Sequence, residues 1–231
     1  AEVATPAAGA QLLALATELV DAADPRRMQL EVRRIDALAW SGRAEEAIAL
    51  GRAHLATGAT SGHDALVLHA AIAHGLFLLG RAAEAVDSWP GFPPEVDAKD
   101  RAAELAELAF AALFAGRLTS ARDHALEARV LSDDATATTM AALVLAFVHL
   151  AGGEVDQAVE EAELAVSRSP AASEIAWRFG PHLIRGMVRD VLGDTEGALA
   201  DLAIADGQVH DVAAAVRVPF RHVLTANALF R

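Results

Sequence analysis

Apolar residues recur along most of the chain at intervals of three and four, the spacing that places them on one face of an α-helix. The β-branched residues are scattered and form no run in which apolar and polar positions alternate, as they do in a strand. The helical pattern is interrupted by a repeated motif, Gly-x-x-x-x-Ala, which is followed each time by an acidic amphipathic segment. The motif occurs as GRAEEA (42–47), GRAAEA (80–85), GRLTSA (116–121), GEVDQA (153–158) and GDTEGA (193–198). The pattern predicts an all-α protein in which these glycines separate successive helices.

The motif glycines recur at a nearly constant period. They stand at positions 42, 80, 116, 153 and 193, so that successive glycines are 38, 36, 37 and 40 residues apart. Glycine readily adopts the positive φ that ends a helix, after which the chain can turn directly into the next helix. We expect the motif alanine to lie where two antiparallel helices approach most closely. A small residue also lies seven positions before the glycine in four repeats, as Ala73, Ala109, Ala146 and Gly186, whereas the first repeat has Ile35.

This series of a small residue, a turn glycine and a packing alanine resembles the tetratricopeptide repeat over roughly residues 28 to 231. The period is longer than the usual repeat length of about 34 residues, and most of the aromatic residues and closing prolines of that repeat are missing. The resemblance implies an α-α superhelix of paired helices. We therefore predict one helical-repeat domain over residues 1–231, with about five hairpins and a partial hairpin at each end. The predicted turns are at Gly42, Gly80, Gly116, Gly153 and Gly193.

Prolines and acidic residues mark the expected ends of several helices. An N-terminal helix is predicted from about Gln11 to Ala23, before Pro25. The segment 89–94, Trp-Pro-Gly-Phe-Pro-Pro, is predicted to be a loop. The run Ser132–Asp134 is predicted to cap the helix that follows it, because short acidic side chains accept hydrogen bonds from the first backbone N–H groups.

Two prolines indicate how the chain continues at its C-terminal end. Pro181 lies 12 residues before Gly193, and Pro219 lies 12 residues before Arg231. Proline is favoured in the first turn of a helix, so both mark the start of a first helix or a kink in one. A sixth turn would then fall just beyond Arg231. We expect the sequence to be a piece of a longer chain.

Composition narrows the classes of function. Hydrophobic residues make up 54% of the chain, and the formal net charge is −13, with 32 acidic and 19 basic residues. An acidic surface repels nucleic acid and anionic lipid, so we expect this segment to bind neither. The absence of cysteine excludes disulfides and thiolate metal sites. Neither a membrane-spanning run nor a signal peptide is recognisable, and we predict a cytoplasmic location.

No pattern of catalytic or metal-binding residues is recognisable in the sequence. None of the nine histidines forms a pair with the four-residue spacing of a helical zinc motif; His69 and His74 are five residues apart. There is no glycine-rich phosphate loop, nucleophile elbow or kinase signature. We therefore predict no catalytic, cofactor or metal site, and a protein that is not an enzyme.

Aromatic and large apolar residues cluster near the end of the first helix of each hairpin. In tetratricopeptide-like proteins the positions six, three and two residues before the turn glycine line a groove, and here they would form what we call the first-helix wall. It comprises Trp40, His74, Phe77, Leu78, Phe110, Leu113, Phe114, Phe147, Leu150 and Met187. Such a wall suits a partner helix or an apolar ligand. The alternative is that these residues are ordinary core.

A basic stripe is the second candidate site. Arg178, His182, Arg185 and Arg189 follow each other at helical spacing beside Trp177. In so acidic a chain the stripe is a candidate site for an anionic ligand or an acidic partner. The alternative is that its members pair with acidic residues on neighbouring helices of the same chain.

The last third of the chain resembles a known regulatory region. The runs LIRGMVRDVLGDTEGALADLAIADGQ (183–208) and VRVPFRHVLTANALFR (216–231) are similar to the central helical region of large ATP-binding LuxR-type transcriptional regulators, the MalT-like group. The resemblance implies a P-loop ATPase before this region and a helix-turn-helix after it. It also implies that the helical region senses an inducer or contacts a regulatory protein and promotes self-association.

These observations together predict a non-catalytic regulatory or interaction segment of a signal-responsive transcription activator. Its repeat groove would bind a protein partner or a small effector, and no cofactor is predicted. The alternative is a free-standing scaffold that recruits other proteins through the same repeats.

Overall fold

The computed structural model describes residues 6–21, 24, 26–58, 60, 62–92, 96–169 and 180–207. Within these residues the regular structure consists of α-helices without strands, which confirms the predicted all-α helical-repeat fold. The helices are α1 Pro6–Leu19, α2 Arg26–Trp40, α3 Ala44–Ala56, α4 Gly62–Leu78, α5 Ala82–Asp87, α6 Ala98–Phe114, α7 Leu118–Leu131, α8 Ala135–Gly152, α9 Val155–Arg168, α10 Pro181–Val191 and α11 Thr195–Gly207.

The helices group into hairpins and into two compact units. We number the hairpins 1 to 5 in chain order, so that hairpin 1 is α2 with α3 and hairpin 5 is α10 with α11. The two helices pack against each other in hairpins 1, 2, 4 and 5. Unit 1 covers residues 1–100 and unit 2 covers residues 101–231, with α6 beginning in the last residues of unit 1. That the repeats form one domain stays a prediction.

All five motif glycines end a first helix in the same backbone conformation. Their φ values are 81°, 73°, 74°, 75° and 80° in chain order, in the left-handed region that glycine adopts without strain. In hairpin 4, Gly153 N–H donates to the Leu150 carbonyl at 3.1 Å, and Glu154 N–H donates to the His149 carbonyl at 2.8 Å. The same pair of hydrogen bonds recurs at the other four turns and defines a Schellman motif. The predicted turns are confirmed.

The motif alanines fill the contact between the two helices of a hairpin. The five alanines Ala47, Ala85, Ala121, Ala158 and Ala198 are at most 1% exposed. In hairpin 5 a Cβ added to Gly186 would lie 3.2 Å from the Ala198 carbonyl oxygen and 3.3 Å from Asp201 Cβ. The small residue before the turn and the alanine after it therefore face each other at close range, as the spacing predicts.

The predicted N-terminal helix has the wrong bounds. α1 runs from Pro6 to Leu19, so it begins five residues before the predicted start at Gln11 and ends four residues before Ala23. Proline is tolerated in the first helical turn, where a backbone N–H would have no helical partner, so the helix can begin at Pro6 itself. Residues 22, 23 and 25 lie outside the described part of the chain.

Other predicted helix boundaries are confirmed. Asp134 is the N-cap of α8, and its Oδ1 accepts a hydrogen bond from Thr136 N–H at 2.9 Å. Pro181 is the first residue of α10. The loop that begins at Trp89 is non-helical as far as Phe92, while residues 93 and 94 and the predicted helix at Pro219 lie outside the described residues.

Helix α8 forms the centre of unit 2. Every residue from Ala137 to Ala146 is buried. Among the described helices, α8 is also the one long and apolar enough, by length and composition, to cross a membrane, and half of it is buried inside the protein. A core helix of a globular protein has the same composition, because it contacts neighbouring helices on every side.

Candidate functional site

A cleft opens between α9 and α10 within unit 2. Its volume is about 220 Å³. The cleft combines an apolar floor with charged side chains of both signs. It is lined by Val159, Ala162, Val188 and Leu192 and by Glu163, Arg185, Arg189 and Asp194. We refer to it as the α9–α10 cleft.

Two arginines and a histidine lie on one side of α10 because of their spacing in the sequence. His182, Arg185 and Arg189 are spaced by three and then four residues, so their side chains lie on one face of the helix. Gly180 is the N-cap of this helix and Pro181 is its first residue. All three side chains reach Asp201, which α11 supplies from the other side of hairpin 5.

Asp201 is a buried carboxylate held by these three side chains. It is 1% exposed. Its Oδ1 accepts hydrogen bonds from Arg185 Nη2 at 2.6 Å and from His182 Nδ1 at 2.8 Å. Its Oδ2 accepts from Arg185 Nε at 2.8 Å and lies 2.9 Å from Arg189 Nη1. Since a carboxylate only accepts hydrogen bonds, His182 must carry its proton on Nδ1 to make this contact.

These contacts also set the ionisation of the pair. Burial by itself raises the pKa of Asp201, but the hydrogen bonds from Arg185 and His182 outweigh it and hold the pKa below its ordinary value. The hydrogen bond to Asp201 in turn raises the pKa of Arg185. Both groups are therefore charged at neutral pH, and Asp201 fixes the position of Arg185.

Glu163 on α9 contacts the outer side of the same two arginines. Its Oε2 accepts from Arg185 Nη1 at 2.6 Å, and its Oε1 accepts from Arg189 Nη2 at 3.1 Å. The Glu163 side chain is 47% exposed, whereas that of Arg185 is 15% exposed. One carboxylate thus bridges two guanidinium groups at the mouth of the cleft.

The structure brings together three of the four residues of the predicted basic stripe. His182, Arg185 and Arg189 pair with acidic residues of their own chain, which is the second of the two interpretations drawn from sequence. Arg178, like Trp177, lies outside the described residues. The stripe is therefore largely neutralised by internal carboxylates.

Sequence reasoning missed the two acidic partners, Glu163 and Asp201. A signal for this cluster exists in the repeat alignment. At eight residues before the turn glycine, three hairpins carry an aliphatic residue, namely Ile72, Leu108 and Leu145, whereas hairpin 1 has Arg34 and hairpin 5 has Arg185. A charge at a position that is apolar in most hairpins indicates a compensating charge nearby. Arg34 has such a partner in Glu31, at 3.3 Å.

The first-helix wall is mostly closed in unit 1. Trp40 is 5% exposed, and its ring centroid lies 5.3 Å from that of His74. The His74 side chain is 11% exposed, and its Nδ1 lies 3.4 Å from Asp36 Oδ1. Phe77 and Leu78 are half-buried. In unit 1, Trp40 and His74 therefore belong mainly to the core, as the alternative interpretation expects of them.

The wall is more open in unit 2. Phe114 is 51% exposed, and its ring centroid lies 4.9 Å from that of the half-buried Phe110. Met187 packs against a small core cluster around Leu183 and Leu202. The remaining wall residues Leu113, Phe147 and Leu150 are half-buried. Whether this wall binds a partner stays a prediction.

The histidines form no further cluster in the described residues. No group of three or more His, Asp or Glu residues there is arranged to hold a metal ion. His69 lies against Trp89, with ring centroids 6.4 Å apart. Burial lowers the pKa of His69, so this imidazole is neutral at pH 7.

Comparison with known proteins adds no assignment. No protein-family model matches the chain, and no curated protein matches it. The similarity to LuxR-type regulators therefore rests on the sequence runs alone.

Proposed function

We propose that the chain is a non-catalytic regulatory and interaction segment of a LuxR-type, MalT-like transcription activator, located in the cytoplasm. Its helical repeats receive a partner protein, a second copy or a small effector, and DNA binding belongs to a separate domain. The observation that carries the proposal is the exposed aromatic surface of unit 2 at the turn of hairpin 3.

That surface lies on both sides of a single turn. Phe114 ends α6 and Leu118 begins α7, on either side of Gly116, and they are 51% and 41% exposed. Phe110 lies one helical turn before Phe114 and extends the apolar area. Adjacent exposed apolar side chains of this size favour a protein contact, whereas isolated ones do not. An amphipathic helix that buries its apolar face against them is the simplest partner.

The repeat architecture supports a regulatory use. Within the units, hairpin 1 packs against hairpin 2, and hairpin 4 packs against hairpins 3 and 5. A ligand that prefers one packing of adjacent hairpins therefore shifts the balance between packings. The net charge of −13 supports a separate DNA-binding domain, since the segment itself repels phosphate.

The coding sequence around this segment tests the proposed family. We expect a Gly-x-x-x-x-Gly-Lys-Ser/Thr motif upstream and a basic helix-turn-helix downstream. A stop codon soon after Arg231, with no nucleotide-binding motif upstream, would exclude the activator and leave the free-standing scaffold.

A variant of the complete regulator tests the surface. Phe114→Glu places a charge on the exposed aromatic surface, and we expect loss of activated transcription from a reporter promoter. Val130→Glu is the matched control, because Val130 is also exposed in unit 2, at 86%, but lies near the end of α7. Equal activation by both variants, with unchanged helical circular dichroism, would exclude this surface from function.

A further inference from the structure

We propose that the α9–α10 cleft binds a small monocarboxylic acid with an apolar body, and that Glu163 occupies the position of the ligand's carboxylate until the ligand displaces it. This inference rests on the proposed function and deepens it, because it names the chemical class of the small effector.

The two arginines are held ready for such a ligand by a residue that a ligand cannot reach. Asp201 is 1% exposed and binds Arg185 through Nε and Nη2. It also lies 2.9 Å from Arg189 Nη1. The nitrogens that bind Glu163 are Arg185 Nη1 and Arg189 Nη2. A binding site whose donors are fixed before the ligand arrives loses less conformational entropy on binding.

The present occupant of these donors shows which group fits them. Glu163 presents one oxygen to Arg185 at 2.6 Å and the other to Arg189 at 3.1 Å. A free carboxylate has the same two oxygens at the same separation and can make the same charge-assisted hydrogen bonds.

Glu163 is also the member of the cluster that is easiest to displace. Its side chain is 47% exposed, in contrast to 1% for Asp201. An exposed ion pair contributes little to stability, because water screens it and a long side chain must be ordered to form it. When Glu163 swings into solvent, its charge is hydrated and the two arginines keep their geometry.

The rest of the cleft selects the body of the ligand. Val159, Ala162 and Val188 form an apolar floor beside the arginines, and the cleft volume of about 220 Å³ suits a short aliphatic chain. Asp194 stands at the rim, 53% exposed and 3.9 Å from Arg189 Nε. Its negative charge disfavours a second carboxylate or a phosphate dianion on the ligand.

Calorimetric titration of the whole chain with pentanoate tests the proposal. We expect the wild type to bind pentanoate and Glu163→Gln to bind it about threefold more tightly, because the competing carboxylate is gone. Arg189→Gln removes one of the two guanidinium groups that would bind the ligand's carboxylate and should weaken binding about tenfold. Glu160→Gln, an exposed change on the same helix, is the matched control and should leave the affinity unchanged.

Further ligands and a second variant make each result decisive. Pentanol lacks the carboxylate and inorganic phosphate lacks the apolar body, so both should bind at least tenfold more weakly than pentanoate. Leu192→Asp, at a position 48% exposed, adds a negative charge to the cleft and should abolish pentanoate binding without unfolding the chain.

Three outcomes would overturn the proposal: no binding of pentanoate by Glu163→Gln, equal affinity of wild type and Leu192→Asp, or equal binding of pentanol or phosphate. These outcomes are independent of the reporter experiment with Phe114→Glu, which tests the proposed function at a different surface. The two failures are therefore distinguishable.

Discussion

Units 1 and 2 use one repeat position in two different ways. Arg52 in unit 1 and Glu163 in unit 2 each stand ten residues after a turn glycine, and each contacts a charged residue of the following hairpin. Arg52 reaches Glu84 at 2.6 Å, and both side chains are at least 40% exposed. Glu163 reaches Arg185, which in turn binds the buried Asp201. The two partners lie at different repeat positions, since Glu84 follows its turn glycine by four residues and Arg185 precedes its own by eight. The contact is an exposed ion pair in unit 1 and part of a buried cluster in unit 2.

The first-helix wall also differs between the units, and here the buried residue is in unit 1 and the exposed one in unit 2. In unit 1, Trp40 is buried against His74. In unit 2, Phe114 is half exposed beside Phe110. Both candidate surfaces of this protein, the exposed aromatic surface and the α9–α10 cleft, therefore lie in unit 2. In unit 1, Trp40 at the equivalent wall position belongs to the core, and Arg52 at the position equivalent to Glu163 forms an exposed ion pair.

The largest contrast is expected from truncating the wall. Trp40→Ala should lower the free energy of unfolding by about 3–5 kcal/mol, because it removes a buried aromatic ring and leaves a cavity. Phe114→Ala should lower it by less than about 1 kcal/mol, since half of that side chain is already in water. Urea unfolding followed by circular dichroism measures both. Similar losses in the two variants would remove the distinction between a closed and an open wall.

The second largest contrast in the free energy of unfolding is expected between the Asp201 cluster of unit 2 and the Arg52–Glu84 ion pair of unit 1. Arg185→Gln takes the strongest partner from a buried carboxylate and should cost about 3 kcal/mol, the lower end of the effect of breaking a buried pair, because His182 and Arg189 still contact Asp201. Arg52→Gln is the matched change in unit 1.

We expect Arg52→Gln to cost less than about 1 kcal/mol, as is usual for exposed ion pairs. The comparison uses urea unfolding in low salt and in high salt. A loss for Arg52→Gln as large as that for Arg185→Gln would show that burial of Asp201 is not what separates the two clusters.

A smaller effect is expected at the closest helix contact of hairpin 5. Gly186→Val should cost about 2 kcal/mol, because its side chain would press on the Ala198 carbonyl and on Asp201. Hairpin 1 accepts Ile35 at the same repeat position, where it is fully buried. Gly152→Val is the control, since a Cβ there meets nothing closer than 3.8 Å. An unchanged melting temperature for Gly186→Val would mean that α10 and α11 separate easily.

The smallest difference is expected in how folding stability changes at low pH. Because the pKa of Asp201 in the folded protein lies below its ordinary value of 3.8, its ionised carboxylate stabilises the fold at every pH above that value. That stability is lost as pH falls from 3.8 through the lower folded pKa. Asp201→Asn should therefore show a shallower loss of stability in acid than the wild type.

Glu84 in unit 1 provides the comparison. Hydrogen bonds from Arg52 and Arg81 lower its pKa as well, but the group is exposed to solvent, so Glu84→Gln should change the acid response less than Asp201→Asn. Urea midpoints measured across the acid range test both variants. Parallel pH profiles for Asp201→Asn and the wild type would contradict the assigned role of Asp201.

The repeat and its turns follow from the sequence alone. Gly42 and the four glycines at its equivalent positions adopt a positive φ, and the alanines five residues later are buried, because both features depend on backbone sterics within one hairpin. The start of α1 at Pro6 does not follow from the sequence in the same way, since a proline is compatible both with the first turn of a helix and with a loop.

The packing of the helices determines which candidate residues are accessible and which carboxylates bind the arginines. Trp40 and Phe114 stand two residues before their turn glycines, yet one is 5% and the other 51% exposed. Exposure depends on which helices lie alongside, and the same holds for Glu163 and Asp201, which are 38 residues apart in sequence and meet through Arg185. Periodicity assigns a residue to a face of its own helix, whereas burial and ion pairing depend on distances between helices, which the packing of successive hairpins sets.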